Sequence, residues 1–222
     1  MRMTRPGLDS SRNRDLGRAD GVGAVDARGS KFLLQIIIQG RGGQGAQTAG
    51  NLLAMAFFAA GRQVQAFSSY GGARRGTPVS SFLRVADRPI RVRCDIEKAD
   101  AILCFDASLL AGQLLAAARA DTLIVVNSSR APDHYARTLP GYRVIPVDGI
   151  SISRRHGLGR IVNSSLLGAF ARAIEAPPLD MLIRTLLEEA PAMHAENVAA
   201  CEEGYRYVDD QLRSVPLERT AS

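Results

Sequence analysis

Short apolar segments alternate with segments of helical periodicity along the middle of the chain. Phe32–Ile38 is apolar except for one glutamine, and its β-branched run predicts a central parallel strand that is covered on both faces. Gln47–Ala60 is rich in alanine and has the period of a helix, with Gly61 at its predicted end. Gln63–Phe67 predicts a second strand. These segments together form a strand–loop–helix–strand unit of the size of one βαβ crossover.

The alternation continues to the end of the chain and predicts the fold class. Val79–Val85 and Ile90–Arg93 flank a tight turn at residues 87–89, which predicts a β-hairpin. We expect a single α/β domain with a mostly parallel, doubly wound-like sheet, a β-hairpin and C-terminal helices. The further predicted strands are Ala101–Phe105, Thr122–Val126 and Arg143–Val147, and the further predicted helices are Ser108–Ala118, Ser164–Ile174, Asp180–Glu189 and Met193–Arg213.

The two ends of the chain differ in composition from its body. Residues 1–30 contain six arginines and four aspartates, many small residues and few large apolar ones. Such a segment buries too little surface to offset its ordering entropy, so we expect an N-terminal extension that is disordered or bound to a partner. No apolar run typical of a secretory signal occurs in it. We expect one domain over residues 31–213 and a flexible tail over residues 214–222.

Composition and charge exclude some classes of protein. The chain has 222 residues, a size typical of one domain, and no apolar run is long enough for a membrane span. There are 28 basic and 22 acidic residues, a net charge of +6, which fits phosphate ligands, an acidic partner or simple solubility equally well. Aromatic residues make up 5% and tryptophan is absent, so a nucleic acid partner is not expected, because stacking platforms need aromatic rings.

Cysteine and histidine spacing argues against a metal site in this chain. The three cysteines lie far apart and form no C-x-x-C pair, and the three histidines form no H-E-x-x-H motif. We therefore expect no metal and no cofactor held by this chain alone, and buried thiols in a reducing cytoplasm. The residues concerned are Cys94, Cys104, Cys201, His134, His156 and His194.

A glycine-rich loop follows the first predicted strand and opens the first predicted helix. It matches G-x-G-x-x-G, in which glycines permit a tight turn and the helix start offers free N–H groups to a phosphate. The acidic residue that would hold a ribose is missing from residues 62–68, so NAD binding is disfavoured. The loop can also serve only to pack helix on strand, or face a partner subunit. Its candidate cofactor-binding residues are Gly40, Arg41, Gly42, Gly43, Gln44 and Gly45.

A second loop, Tyr70–Pro78, follows the second predicted strand and contains two adjacent arginines. Arg74 and Arg75 are candidates to grip a phosphate or carboxylate, because guanidinium groups pair with such anions in a fork. A solvated turn or an interface salt bridge is the alternative. No catalytic set is evident: Asp106 is placed as a helix N-cap, Asn127 is expected in a turn, and Asp133 with His134 is expected in a polar loop. On residue chemistry alone the chain is a binding module.

The two loops together carry a family resemblance. Gly40–Gly45 followed by Thr48-Ala49, and Gln65–Gly71 followed by Arg74–Val79, resemble the gamma subunit or domain of the 2-oxoacid:ferredoxin oxidoreductases, the pyruvate and ketoisovalerate enzymes among them. The resemblance spans residues 32–210 and leaves the first thirty outside. It continues in Ile90–Arg93, Asp100–Asp106, Asn163, Leu167-Gly168-Ala169, Glu196-Asn197 and Gly204-Tyr205.

The resemblance implies an assembly and not a self-sufficient enzyme. It implies alpha, beta and delta-type partner subunits that carry thiamine diphosphate, Mg and iron–sulfur clusters, with coenzyme A as co-substrate. Ferredoxin is the implied electron acceptor, or NAD through an extra flavin subunit. The Gly40–Gly45 loop with Arg74 and Arg75 is then expected to face the cleft for coenzyme A or a neighbouring subunit. The rival interpretations are a free-standing nucleotide-binding oxidoreductase and a purely structural assembly subunit.

Overall fold

A mixed, mostly parallel sheet forms the centre of the protein. The computed structural model describes residues 32–70 and 76–214, so the predictions for residues 1–30 and for the tail beyond residue 214 lie outside the described residues. The strand order is β2-β3-β1-β4-β5-β6. The strands are β1 (Leu33–Arg41), β2 (Gln63–Tyr70), β3 (Pro78–Ala86), β4 (Ala101–Cys104), β5 (Leu123–Asn127) and β6 (Arg143–Val147).

Helices cover both faces of this sheet, which confirms the predicted doubly wound-like class. One apolar core lies between the sheet and the helices α1, α4, α5, α6 and α7, and a second core on the opposite face includes side chains of α2 and α3. The helices are α1 (Ala46–Ala59), α2 (Gly112–Ala116), α3 (Pro132–Thr138), α4 (Gly149–Arg155), α5 (Asn163–Ile174), α6 (Leu179–Glu189) and α7 (His194–Ser214). No helix in the described part of the chain is long and apolar enough to span a membrane.

The predicted hairpin between Val79–Val85 and Ile90–Arg93 is wrong in its second strand. β3 is antiparallel to β1 on one side and to β2 on the other, so neither of its edges is free to pair with residues 90–93. The hairpin of the fold is instead β2–β3. The sequence pattern could not distinguish the two pairings, because both flanking segments have apolar residues in alternation with polar ones.

Two helical predictions also need correction. The predicted helix Ser108–Ala118 is interrupted: a 3-10 turn covers Ala107–Leu109, and α2 begins at Gly112, whose φ of +51° breaks the helical path. The short helices α3 and α4 were not predicted. Each is seven residues long, too short for a hydrophobic period to be recognised in the sequence.

A buried arginine holds the segment that follows β3. Arg84 is 1% exposed, and its guanidinium donates hydrogen bonds to the carbonyl oxygens of Cys94 (2.6 Å) and Asp95 (3.1 Å) and to Oε1 of Gln65 (2.9 Å). It also lies 5.7 Å from the ring centre of Phe67. Hydrogen bonds donated by the Arg84 side chain thus hold residues 94–95 over the sheet, although these residues are not part of a strand.

Glycines let α5 and α7 approach each other closely. A Cβ atom on Gly168 would lie 1.9 Å from the carbonyl oxygen of Cys201, and one on Gly204 would lie 2.0 Å from that of Ser165. Since real Cβ atoms do not come within 3 Å of such atoms, both positions require glycine. This contact fixes the helix pair that covers the main core.

Candidate functional site

The two loops singled out in the sequence meet at the carboxyl end of β1. The N–H of Gly42 donates to the carbonyl oxygen of Thr77 (2.9 Å), and the N–H of Gly76 donates to the carbonyl oxygen of Gly42 (3.3 Å). The glycine loop is therefore joined to the β2–β3 loop by backbone hydrogen bonds. Arg74 and Arg75 lie outside the described residues, between Tyr70 and Gly76.

Asp106 connects the glycine loop to the end of β4. The prediction that Asp106 is an N-cap is confirmed, since its Oδ1 accepts from the N–H of Ser108 (3.0 Å). Its Oδ2 also accepts from Nε of Arg41 (2.8 Å) and from Nε2 of Gln44 (3.3 Å). The Arg41 guanidinium continues to Oγ of Ser108 (2.8 Å) and the carbonyl oxygen of Gly76 (3.2 Å).

This network decides the direction of the Arg41 and Gln44 side chains. Both were candidates for ligand contact, and both form bonds within the protein. The Oε1 of Gln44 accepts from the N–H of Arg41 at 2.7 Å, which closes the loop on itself. Arg41 therefore shapes the site and offers a charge that Asp106 already balances.

The environment of Asp106 keeps its carboxylate ionised. Partial burial acts to raise the pKa of Asp106, but the hydrogen bonds donated by Ser108, Arg41 and Gln44 outweigh burial and hold the pKa below its usual value. The Arg41–Asp106 ion pair thus persists at neutral pH.

Asn163, at the start of α5, lies against the end of the glycine loop. Gly45 has a φ of +88°, which demands glycine, and a Cβ there would lie 2.4 Å from the Oδ1 atom of Asn163, so the Asn163 amide would have to shift. Oδ1 of Asn163 is buried and has no hydrogen-bond partner in the described part of the protein. Gly45 and Asn163 belong to separate parts of the family pattern in the sequence, and the structure brings them into contact.

The start of α1 keeps its polar N–H groups without a side-chain cap. Gly45 is its N-cap residue, no side chain bonds to the cap position, and no acidic residue lies in the first turn. The first turn of a helix carries a partial positive charge and favours an anion. This end of α1 lies beside the switch point between β1 and β4, from which the chain continues to opposite faces of the sheet.

The position of β3 explains why a dinucleotide does not fit this loop in the usual way. In a dinucleotide-binding fold the second strand lies beside the first and its end holds the ribose. Here β3 lies between β1 and β2, so the end of β2 is two strands away from the glycine loop. The absence of an acidic residue from residues 62–68 and this strand order both disfavour a dinucleotide bound in the usual way.

The remaining candidate residues form no reactive group. Asn127 donates to the carbonyl oxygen of Phe105 and accepts from the N–H of Gly149, which fixes a turn. Asp133 and His134 lie in the helix α3 and not in the expected loop, and Asp133 occupies the first turn of this helix. No group of three metal-ligating side chains occurs among the residues that the structure describes.

Comparisons with known proteins identify the family of the chain. Residues 35–207 match the model of the pyruvate ferredoxin/flavodoxin oxidoreductase family. The chain belongs to this family. It is 34% identical to the pyruvate/ketoisovalerate oxidoreductases common subunit gamma of Thermococcus kodakarensis over 78% of this chain and 96% of that relative. It is 38% identical to pyruvate synthase subunit PorC of Methanosarcina barkeri over 63% of this chain and 76% of that relative.

Solved structures of family members have the same architecture. The pyruvate oxidoreductase subunit PORC of Thermotoga maritima matches with a TM-score of 0.68 at 28% identity, over 78% of this chain and 96% of that one. A 2-oxoglutarate:ferredoxin oxidoreductase from Magnetococcus marinus, solved with coenzyme A bound, has the same fold at a TM-score of 0.65 and 20% identity, and this chain covers 31% of it. The resemblance inferred from the loops is confirmed: the protein is a gamma-type subunit within an oxidoreductase family.

Sequence analysis missed the partners that shape the site. Asp106 was assigned only as a cap, because its bond to Arg41 joins residues 65 positions apart. The sequence did contain a signal: a cation, Arg41, follows one predicted strand, and an acid, Asp106, follows another. Carboxyl ends of parallel strands lie at one edge of a sheet, which places such a pair together.

Proposed function

We propose that the chain is the gamma subunit of a multi-subunit 2-oxoacid:acceptor oxidoreductase. The enzyme would convert a 2-oxoacid and coenzyme A to the acyl-CoA and carbon dioxide, and pass two electrons to ferredoxin or, through an extra subunit, to NAD. Thiamine diphosphate, Mg and iron–sulfur clusters would be held by the alpha, beta and delta-type subunits in the cytoplasm. The observation that carries this proposal is the match to gamma subunits over nearly their whole length.

Within that enzyme, we propose that this chain forms part of the cleft for coenzyme A. Its joined loops support this role. The uncapped start of α1 adjoins the Gly40–Gly45 loop, and the backbone bonds of Gly42 hold Gly76 and Thr77, which follow Arg74 and Arg75 in the sequence, at the same edge of the sheet. Coenzyme A carries phosphate groups, and helix starts and arginines are the groups that proteins use to bind them.

Purification of the tagged chain from its native cells tests the assembly. The eluate would be assayed for reduction of a viologen dye that depends on a 2-oxoacid and on coenzyme A, and the co-purifying chains would be identified by mass spectrometry. We expect activity together with thiamine-diphosphate and iron–sulfur subunits, and a panel of 2-oxoacids would identify the substrate. A lone, inactive chain would contradict the proposal.

The coenzyme A role is tested in the assembled enzyme by the double substitution Arg74→Ala with Arg75→Ala. We expect the KM for coenzyme A to rise about tenfold or more, because each lost charge-assisted bond is worth about 1.5–3 kcal/mol, while the KM for the 2-oxoacid stays within about twofold. Arg143→Ala, an exposed arginine at the start of β6, is the matched control. Unchanged kinetics in an intact complex would refute the role.

A purely structural role is favoured by a different observation. Gly42, Arg41 and Gln44 already satisfy one another or the neighbouring loop, which is what a loop built only for packing would do. In that case Arg41→Ala would reduce the yield of complex and leave the KM for coenzyme A of the surviving complex unchanged. A higher KM without loss of assembly would exclude this alternative.

A further inference from the structure

The strand β2 has the features of an edge that pairs with another strand. In the described part of the chain it is the outer strand of the sheet, bonded on one side only, to β3. Its sequence, Gln63–Tyr70, contains no charged residue and no proline, and all eight residues are in continuous register with β3 without a bulge. Proteins normally protect free edges with charge, proline or a bulge. This edge has none of these.

An apolar groove lies along the same edge. Its volume is about 390 Å³. Val64 and Ala66 of β2 form one wall, so the groove and the free edge are parts of one surface. Phe58 of α1 is 73% exposed, far more than its neighbour Met55 at 39%. The other wall residues come from α1 and α6: Ala54, Met55, Phe58, Ala59, Thr185, Glu188 and Glu189.

The rim of the groove is acidic. Glu188 pairs with Arg184 at 2.8 Å, whereas Glu189 has no ion-pair partner among the described residues. A ligand in the groove is therefore favoured if it brings apolar groups to Phe58 and a cation to Glu189. The N–H and carbonyl groups on the outer side of β2, which pair with no other strand among the described residues, require in addition that the ligand offers an extended backbone.

We propose that an extended segment of another subunit adds to the free edge of β2, with alternate apolar side chains in the groove and a basic side chain near Glu189. Backbone hydrogen bonds would supply affinity, and the groove would select alternate residues of the added strand. The proposal extends the proposed function, since the occupant is taken to be a subunit of the same oxidoreductase. We call this surface, made of β2 and the groove residues above, the β2 edge surface.

The first test measures assembly of the complex with Phe58→Glu in the tagged full-length chain. Since Phe58 is largely exposed, the substitution is expected to leave the melting temperature of the isolated chain within about 2 °C. We expect the yield of co-purifying subunits to fall about tenfold or more, as for a central interface aromatic. Ile161→Glu is the matched control, a residue 52% exposed and outside the groove, and is expected to retain partners.

The outcomes separate this proposal from the function it rests on. If the wild-type chain purifies without 2-oxoacid oxidoreductase subunits, the proposed function fails. If the wild-type complex is intact and active, and Phe58→Glu retains its subunits as well as Ile161→Glu does, the β2 edge surface is not the interface.

Hydrogen–deuterium exchange tests the strand addition directly. We expect β2 amides that exchange rapidly in the isolated full-length chain to exchange at least about tenfold more slowly in the complex, because they become hydrogen-bonded. Equal exchange in both states would overturn the proposal. Slow exchange of β2 already present in the isolated chain would also overturn it. If that protection is lost on deletion of residues 1–30, the occupant is this chain's own N-terminal segment. If it is lost on dilution, the occupant is a second copy of the chain.

Discussion

Asp106 acts at the scale of a single residue, because one carboxylate accepts hydrogen bonds from Arg41, Gln44 and Ser108. Replacement by Asn keeps the shape and removes the charge. The folded pKa of Asp106 lies below its unfolded value, so the stabilisation from its ionised form is present above about pH 4 and is lost as the pH falls through the folded pKa.

We expect Asp106→Asn to lower the free energy of unfolding at neutral pH and to have a smaller effect in acid. Urea unfolding of the wild-type and variant proteins at about pH 7 and about pH 3 would measure the difference in their free energies of unfolding. This difference should be smaller at about pH 3, because the ionised form of Asp106 is then being lost. A difference that is constant with pH would mean that the carboxylate charge does not contribute.

Arg84 is the second residue whose environment makes a strong prediction. Arg84→Met would leave the carbonyl oxygens of Cys94 and Asp95 without their donors. We expect the free energy of unfolding to fall by about 2–4 kcal/mol, because hydrogen bonds from a charged group contribute about 1.5–3 kcal/mol each. Urea denaturation would measure it, with the exposed Arg130→Met as a control that changes little. Equal stability of the two variants would contradict this reading.

Local sequence patterns could not reveal the bonds of Asp106 to the glycine loop or the burial of Arg84. Asp before a short helix is readable as a cap from local sequence. Arg84 gives no such signal, because arginine is rarely fully buried and alternation along β3 would place it in solvent. The bonds that define its role reach Gln65 and Cys94, which are brought near only by the sheet.

At the scale of elements, the sequence identified the strands and long helices well and their neighbours poorly. β4 and β5 are almost wholly apolar, β1 and β6 are mainly apolar, and α5, α6 and α7 have clear periodicity, so local pattern suffices for them. The insertion of β3 between β1 and β2 depends on contacts between distant segments. No local pattern encodes that choice, and the hairpin was therefore assigned to the wrong partner.

The contact of α5 with α7 is the element-scale feature that is simplest to disrupt. Gly168→Ala would drive a Cβ into the backbone of α7, and we expect a loss of about 3 kcal/mol or more, at or beyond the usual range for overpacking. Gly61→Ala is the control: it has φ of +80° but open space around it, so it should cost only the strain of about 1–2 kcal/mol. Chemical denaturation of both variants would measure the two losses.

If Gly61→Ala proved as costly as Gly168→Ala, the close approach of α5 and α7 would not be the reason that glycine is needed. The same comparison separates backbone strain from collision, because only one of the two positions has a neighbour in reach.

At the scale of the whole molecule, the reactivity of the three cysteine thiols shows whether solvent reaches the two apolar cores. Cys94 is exposed, whereas Cys104 and Cys201 are buried. Burial raises the pKa of Cys104 to about 12 and raises that of Cys201 as well, so neither provides thiolate at neutral pH.

We expect Ellman's reagent to modify one thiol rapidly in the native protein and all three after unfolding. Absorbance at neutral pH would count them, and Cys94→Ser should abolish the rapid reaction. Rapid modification of a second thiol in the native chain would show that one core is open to solvent.

The order of strands in the sheet has a consequence for synthesis of the protein. β1 is made first, yet it lies in the middle of the sheet and needs β3 on one side and β4 on the other. At about 5–20 residues per second, the ribosome takes roughly 3–13 s to add the residues from the end of β1 to the end of β4. Both edges of this apolar strand are open until β3 is made, and the edge that pairs with β4 stays open until the end of the interval, exposed to other nascent chains. The chain therefore depends on early formation of the local β2–β3 hairpin, which supplies the first partner for β1 and shortens its time at risk of aggregation.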